Sequence, residues 1–248
     1  VYLGNQYAEM VLSGGIIENN QVVAYSNSQN TGTLLLNNGS ASIEGGTIRN
    51  NQTSYKGSAI YYYGDGTAND SLVISGGQIS DNTPSAPAVL PQGINSPVYI
   101  GSRGFQLKGG AAHIKDYIYL TSTDNIITLS DRIYQSGRKY DIFINQGTED
   151  KQFKKGSVVV QPDADFITDV NAFHQYFEVH SNPYVLDMGR VDAPAGTIAG
   201  VREIQCLILM KAVYLNSEGG NDSNEGTTPA EAVATFEQAV RLGKEDSK

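Results

Sequence analysis

Apolar and polar residues alternate in short runs through the first half of the chain, and the runs recur at a fixed period. Four glycine pairs mark that period, at 14–15, 45–46, 76–77 and 109–110, spaced 31, 31 and 33 residues apart. Two residues before each pair stand Leu12, Ile43, Ile74 and Leu107; four before it stand Met10, Ala41, Leu72 and Phe105. Three after each first glycine come Ile17, Ile48, Ile79 and Ala112. Residues two apart share one face of a strand, so each repeat predicts short strands on either side of a glycine bend. Repetition at a fixed period then stacks like on like. That is the pattern of a parallel β-solenoid, in which no repeat buries its inner face alone.

The bend suits glycine because glycine takes positive φ without steric cost. Six residues after each first glycine come Asn20, Asn51 and Asn82, a column predicted to hydrogen-bond along the stack as amide ladders do. Lys115 takes that place in the fourth repeat, which sets the expected last rung at residue 115 and the stack at about four rungs. Segments 26–32, 63–70 and 83–97, rich in Ser, Asn, Gly, Asp and Pro, read as loops thrown out from the stack. Binding specificity is expected in such loops.

Beyond residue 115 the period is lost. Alternating apolar runs at 117–121, 126–130, 140–145, 157–161, 176–180, 184–186 and 204–210 predict further strands. Thr168 is placed to cap a short helix over 169–173. Residues 116–212 therefore read as a compact β-rich module closing the last rung. The tail, 213–248, holds a strand, a Gly/Asn loop and a helix-start signal, with Thr228 as N-cap, Pro229 at the first helical position and Glu231 completing a capping box. A helix over about 229–242 is expected, with Val233, Phe236, Ala239 and Val240 on one face and Gly243 as its stop.

The tail resembles the opening of pectate-lyase-like right-handed parallel β-helix domains, in which a strand runs into a Gly-Asn-Asp-Ser-Asn-x-Gly-Thr loop and then an amphipathic helix. Residues 220–224 with Gly226 and Thr227 match the loop, and 229–240 match the helix. The SGGxIxxN-like repeats resemble those of large wall-attached surface proteins of Gram-positive bacteria, which string such solenoids together with small β modules. The likeness covers 1–115 and 213–248, and more loosely 116–212. It implies an all-β chain whose 1–115 form a right-handed parallel β-helix, with 213–248 the truncated start of a further one. It also implies an extracellular, cell-surface setting. No catalytic residue carries over, because the family shares a scaffold and not a site.

Charge and composition narrow the function. A net charge of −9 argues against nucleic acid, which needs clustered Lys and Arg. No apolar run reaches the roughly 18 residues of a spanning helix, so no membrane insertion is expected. Cys206 stands alone, which leaves no intrachain disulfide and no cysteine zinc site; it is expected buried and inert. Val1 in place of an initiator Met reads as a fragment of a longer chain.

Candidate chemistry is sparse. Asp65, Asn69 and Asp70 in GDGTAND approximate calcium-loop spacing but lack its sixth-position Gly and closing Glu, so a solvated turn is preferred over Ca²⁺. Asp222 is a loop cap or, on the family likeness, a metal ligand. Asp163, Asp165 and Asp169 form a further acidic cluster, its second half read as helix-start chemistry. The run Tyr61, Tyr62 and Tyr63 places two rings outward if one points inward. With Tyr25 and Tyr99 on the matching strand, and with Asp65 and Asp70 beside them, it is the candidate for a weak glycan contact. Its competitor is a cross-rung aromatic stack that serves the sheet alone. His113, His174 and His180 lack ligand spacing along the sequence. The expectation is a non-catalytic structural or adhesive fragment, needing no cofactor, with host or environmental glycans or host surface proteins as partners. A polysaccharide lyase or glycosidase is the alternative.

Overall fold

The structure, a computed structural model, describes residues 1–23, 32–54, 56–64, 70–84, 96–109, 112–131, 139–163, 174–193 and 202–244. It is mostly β, built on parallel sheets. Each of the first three repeats sends one strand to each of four sheets in turn. In the second repeat these are Leu34–Asn37, Ser40–Ile43, Thr47–Arg49 and Gln52–Thr53. The third repeat pairs onto them in parallel with Ile60–Tyr63, Leu72–Ile74, Gln78–Ser80 and Thr83–Pro84.

The predicted columns stack. Leu12, Ile43, Ile74 and Leu107 are successive register partners, and the last three are essentially inaccessible. Leu12, in the first repeat, is only half-buried, since a terminal strand has a neighbour on one side alone. Met10, Ala41, Leu72 and Phe105 form the second column. In the third, Ile17, Ile48 and Ile79 are followed by Ile114 and not by Ala112. The two extra residues in the fourth repeat slip the register there.

Two separate demands fix the glycines. Gly15, Gly46, Gly77 and Gly109 adopt φ of 84°, 77°, 78° and 83°, where side-chain-bearing residues are strained. Gly45 and Gly76, the first of their pairs, lie against the repeat before them: a Cβ on Gly76 would sit 2.2 Å from the Glu44 carbonyl oxygen, whereas one on Gly14 would meet nothing.

The asparagine ladder forms with a defined direction. Asn20 donates from its backbone N–H and Nδ2 to Asn51 Oδ1, at 3.1 and 2.8 Å, and Asn51 donates likewise to Asn82 Oδ1, at 3.1 and 2.9 Å. The residue before each takes the left-handed turn, with Asn19, Asn50 and Asp81 at φ of 56°, 53° and 60°. The ladder ends on Asp116, one residue beyond the expected Lys115: Asn82 Nδ2 donates to Asp116 Oδ2 at 2.6 Å. Asp116 is buried, and burial raises its carboxyl above the ordinary range, partly offset by the Asn82 hydrogen bonds.

Residue 115 is not where pairing stops. Among the described residues the third sheet ends at His113–Ile114 and the fourth a repeat earlier at Thr83–Pro84, but the first continues through Ile118–Leu120, Tyr140–Ile144 and Phe177–Val179. The second continues through Ile127–Leu129 and Val158–Pro162. The strands expected in 116–212 thus extend sheets begun in the repeats. The second sheet ends in a long hairpin, Tyr184–Asp192 and Glu203–Lys211, whose second strand pairs antiparallel to Val158–Pro162. Cys206 lies buried in it, and burial pushes its thiol up.

The tail departs from expectation. Thr228 does cap, accepting from the Glu231 N–H at 3.2 Å, but only a 3₁₀ turn, Pro229–Glu231, follows. The α-helix, Phe236–Lys244, starts afresh and runs through Gly243. Val233 is fully buried, bridging Leu215 in an isolated pairing, while Phe236 is 69% exposed. No full strand forms among the described tail residues. Lys155 Nζ ties the tail to the body by donating to the Gly243 carbonyl at 3.1 Å. Among the described residues no helix is long and apolar enough to cross a membrane.

Candidate functional site

The tyrosine run is divided by strand geometry. Tyr62 points inward, fully buried, and its hydroxyl donates to the Arg103 carbonyl. Tyr61 and Tyr63 take the other face, with ring centroids 6.2 Å apart. Tyr61 stacks on its register partner Tyr99 at 4.9 Å, and Tyr99 lies 5.4 Å from Tyr119 in the next strand. In the preceding strand the partner of Tyr61 is Leu35, not Tyr25; Tyr25 lies outside the described residues.

Tyr61 is only 2% exposed, so its ring is committed to the stack, and Tyr63 alone of the three stands open, at 45%. Lys56 reaches over this stack. Its Nζ lies 4.4 Å from the Tyr99 ring centroid and 5.3 Å from that of Tyr61, a cation–π arrangement. Burial lowers the Lys56 pKa.

The acidic candidates separate as well. Asp65 and Asn69 lie outside the described residues, as do Asp165, Thr168 and the helix expected over 169–173. Asp70 is buried. It closes on Gly64, where an added Cβ would meet Asp70 Oδ2 at 2.2 Å, Ser102 Oγ at 3.0 Å and Asn38 Oδ1 at 3.1 Å. Asp163 is half-buried at the end of its strand. Asp222 is a cap. Its carboxylate accepts from the N–H groups of Ala234 and Thr235, at 2.9 and 2.8 Å, and from the Thr235 hydroxyl at 2.8 Å. Those hydrogen bonds, Thr235 foremost, hold its pKa below the usual carboxylate range. Both oxygens are occupied by the start of the helix.

A different group of residues converges at the far end of the first sheet. Asp141 and Glu178 are register partners on Tyr140–Ile144 and Phe177–Val179, and His180 follows Glu178 by two residues on the same face. One ligand atom from each lies within 4.8 Å of the other two. His180 Nε2 is 2.8 Å from Asp141 Oδ1, and Lys139 Nζ is 3.1 Å from Glu178 Oε2. The His180 ring is flanked by Tyr117 and Phe143, at 5.9 and 5.8 Å.

Lys139, Glu178 and His180 line a cleft of about 630 Å³, completed by Phe177, the hairpin residues Tyr184 and Leu186, and Tyr214 from the tail. His174 also faces it, with Nε2 3.2 Å from the Leu186 carbonyl. Sequence spacing could not show this cluster. Its members lie up to 39 residues apart, and only strand register joins them.

Comparison with known protein families, with curated proteins and with solved structures finds no match for this chain.

Proposed function

We propose that this chain is a right-handed parallel β-helix segment of a large, extracellular surface protein of a Gram-positive bacterium, serving as a structural or adhesive stalk and not as a catalyst. The observation that carries this reading is the use made of the repeated polar residues. Asn20, Asn51 and Asn82 spend their side chains on one another and on backbone carbonyls, while Gly15, Gly46, Gly77 and Gly109 serve the bends and Gly45 and Gly76 the close approach. Among the described residues, the recurring asparagines are thus spent on the stack itself. A net charge of −9 suits a chain that resists non-specific sticking. The 213–248 tail, with its Gly/Asn loop and helix, reads as the opening of a further module. Where such a stalk touches glycans, the exposed rings Tyr63 and Tyr117, 45% and 44% accessible, are the contacts.

The test is a screen for turnover and binding on pectic, mucin-type and glycosaminoglycan substrates, with and without Ca²⁺. Absence of turnover, with any binding weakened by Tyr63→Ala or Tyr117→Ala, supports the stalk. A second reading, a polysaccharide lyase or glycosidase, is favoured by one observation. Asp141 and Glu178 stand close together beside His180 and Lys139 at the end of the first sheet, where three of these four line the cleft. Paired carboxylates are what glycoside chemistry requires. Turnover abolished by Asp141→Asn or Glu178→Gln would replace the stalk with the enzyme.

A further inference from the structure

We infer that Asp141, Glu178 and His180 form a binding site for one borderline divalent transition-metal cation, of the Zn²⁺ or Co²⁺ class, with its remaining coordination open to the cleft. Strand geometry brings the three ligands together. Parallel register sets the two carboxylates side by side on neighbouring strands, and a two-residue step returns the imidazole to the same face. Three ligand atoms within 4.8 Å of one another can converge on a single ion at the roughly 2.0–2.2 Å bond lengths of zinc–nitrogen and zinc–oxygen contacts with small side-chain adjustments.

The rings of Tyr117 and Phe143 restrict the imidazole, as a preorganised ligand requires. Donor type selects the metal: an imidazole nitrogen with two carboxylates suits Zn²⁺ and its neighbours, whereas Ca²⁺ takes oxygen donors alone. Three protein ligands leave a fourth position for water or an oxygen donor, the arrangement of an open zinc site. Glu178 and His180 line the cleft, so that position is reachable by whatever the cleft holds.

Two partners already present must yield. The hydrogen-bonding proton between His180 Nε2 and Asp141 Oδ1 is displaced by the metal. The Lys139 ammonium, 3.1 Å from Glu178 and about half exposed, swings into solvent. Lys139 is therefore a competitor for the site, a property that an ordinary surface ion-pair cluster would not turn into tighter metal binding when the lysine is removed.

The experiment titrates the full chain with Co²⁺ and with Zn²⁺, using calorimetry and the visible absorption of bound Co²⁺, with Ca²⁺ alongside. One ion per chain is expected for both transition metals and no saturable binding for Ca²⁺ at this site. His180→Ala and Asp141→Asn should each weaken binding more than ~100-fold, above the 10–100-fold typical of an outer-shell partner. Lys139→Met should tighten it. His174→Ala, in the same cleft but bonded to the Leu186 carbonyl, should leave it unchanged. Thermal unfolding without metal checks that each variant is folded. Stoichiometric binding that survives His180→Ala, binding weakened by Lys139→Met, or no saturable Zn²⁺ or Co²⁺ binding would overturn the site. Failure of the metal site leaves the stalk reading standing, because that reading is tested by turnover and by Tyr63→Ala, which lies on a separate strand, Ile60–Tyr63.

Discussion

Replacing Asn51 by Ala removes a side chain whose hydrogen-bonding capacity is fully used. Its Nδ2 donates to Asn82 Oδ1 at 2.9 Å and to the Ile17 carbonyl at 3.0 Å, and its Oδ1 accepts twice from Asn20. Asn51 is completely buried. The two groups on Asn20 face solvent, and water replaces what they lose. The Ile17 carbonyl and Asn82 Oδ1 lose a partner inside the stack, although Asn82 Oδ1 keeps the Asn51 N–H.

An orphaned buried group costs about 1–3 kcal/mol, and two partly orphaned groups with a small cavity bring the total to roughly 3 kcal/mol. Asn20→Ala, at the exposed start of the ladder, should cost under about 1 kcal/mol. Asn82→Ala should cost most, because Asn82 also donates to Ile48, Ser80 and the buried Asp116. Urea unfolding of the three variants, with the denaturant slope checked for constancy, reads the series. The double variant Asn51→Ala/Asn82→Ala should show a coupling of about 1–2 kcal/mol. Equal, sub-kilocalorie costs at Asn20 and Asn51, or strict additivity, would refute a cooperative ladder.

The remaining predictions follow from the same stack. Ile74→Ala should destabilise by about 2–5 kcal/mol, whereas Val11→Ala, at a position 63% exposed, should stay within about 0.5 kcal/mol; thermal melts compare them. Gly76→Ala should be strongly destabilising, because its Cβ would press on the Glu44 carbonyl, while Gly14→Ala, which meets nothing, should be neutral or slightly stabilising. Asp116→Asn should stabilise the chain at pH 7. Burial raises the Asp116 carboxyl, so its contribution is fully present below the ordinary carboxylate pKa and lost as pH rises through its raised value. The gain from Asn should accordingly shrink toward pH 4, and a variant less stable than the parent at pH 7 would show that the Asn82 hydrogen bonds outweigh burial.

The architecture of the repeats was legible because packing and turn geometry act through residue type at fixed spacing. The glycine pairs, the three apolar columns and the asparagine column could all be read before any coordinate. The failures cluster at one place. The fourth repeat breaks the count after its glycine pair, so Ile114, two residues on, and Asp116, one residue on, take the positions that uniform counting assigned to Ala112 and Lys115. Beyond it, Ile118, Leu120, Ile142 and Ile144 continue the first sheet without repeating any motif, because burial asks only for alternating apolar side chains.

The tail misled for a local reason. Thr228, Pro229 and Glu231 are a genuine start signal, but Val233 is drawn into a pairing with Leu215, and the helix restarts where Thr235 caps it by accepting from the Gln238 N–H. The cleft cluster had no linear signature at all, since Asp141 meets Glu178 and His180 only through strand register.

The stacking of successive repeats in register is the claim on which the rest depends, and disulfide trapping tests it directly. Ser42 and Val73 are half-exposed register partners, and Gln106 is the next partner of Val73. Neighbouring strands lie about 4.8 Å apart and strands two steps apart about 9.6 Å, against a disulfide Cα span of roughly 4.4–6.8 Å. In a Cys206→Ala background, Ser42→Cys with Val73→Cys and Val73→Cys with Gln106→Cys should each cross-link under mild oxidation, while Ser42→Cys with Gln106→Cys should not. Cross-linking of the distant pair as readily as the adjacent ones, or of none, would contradict the stack.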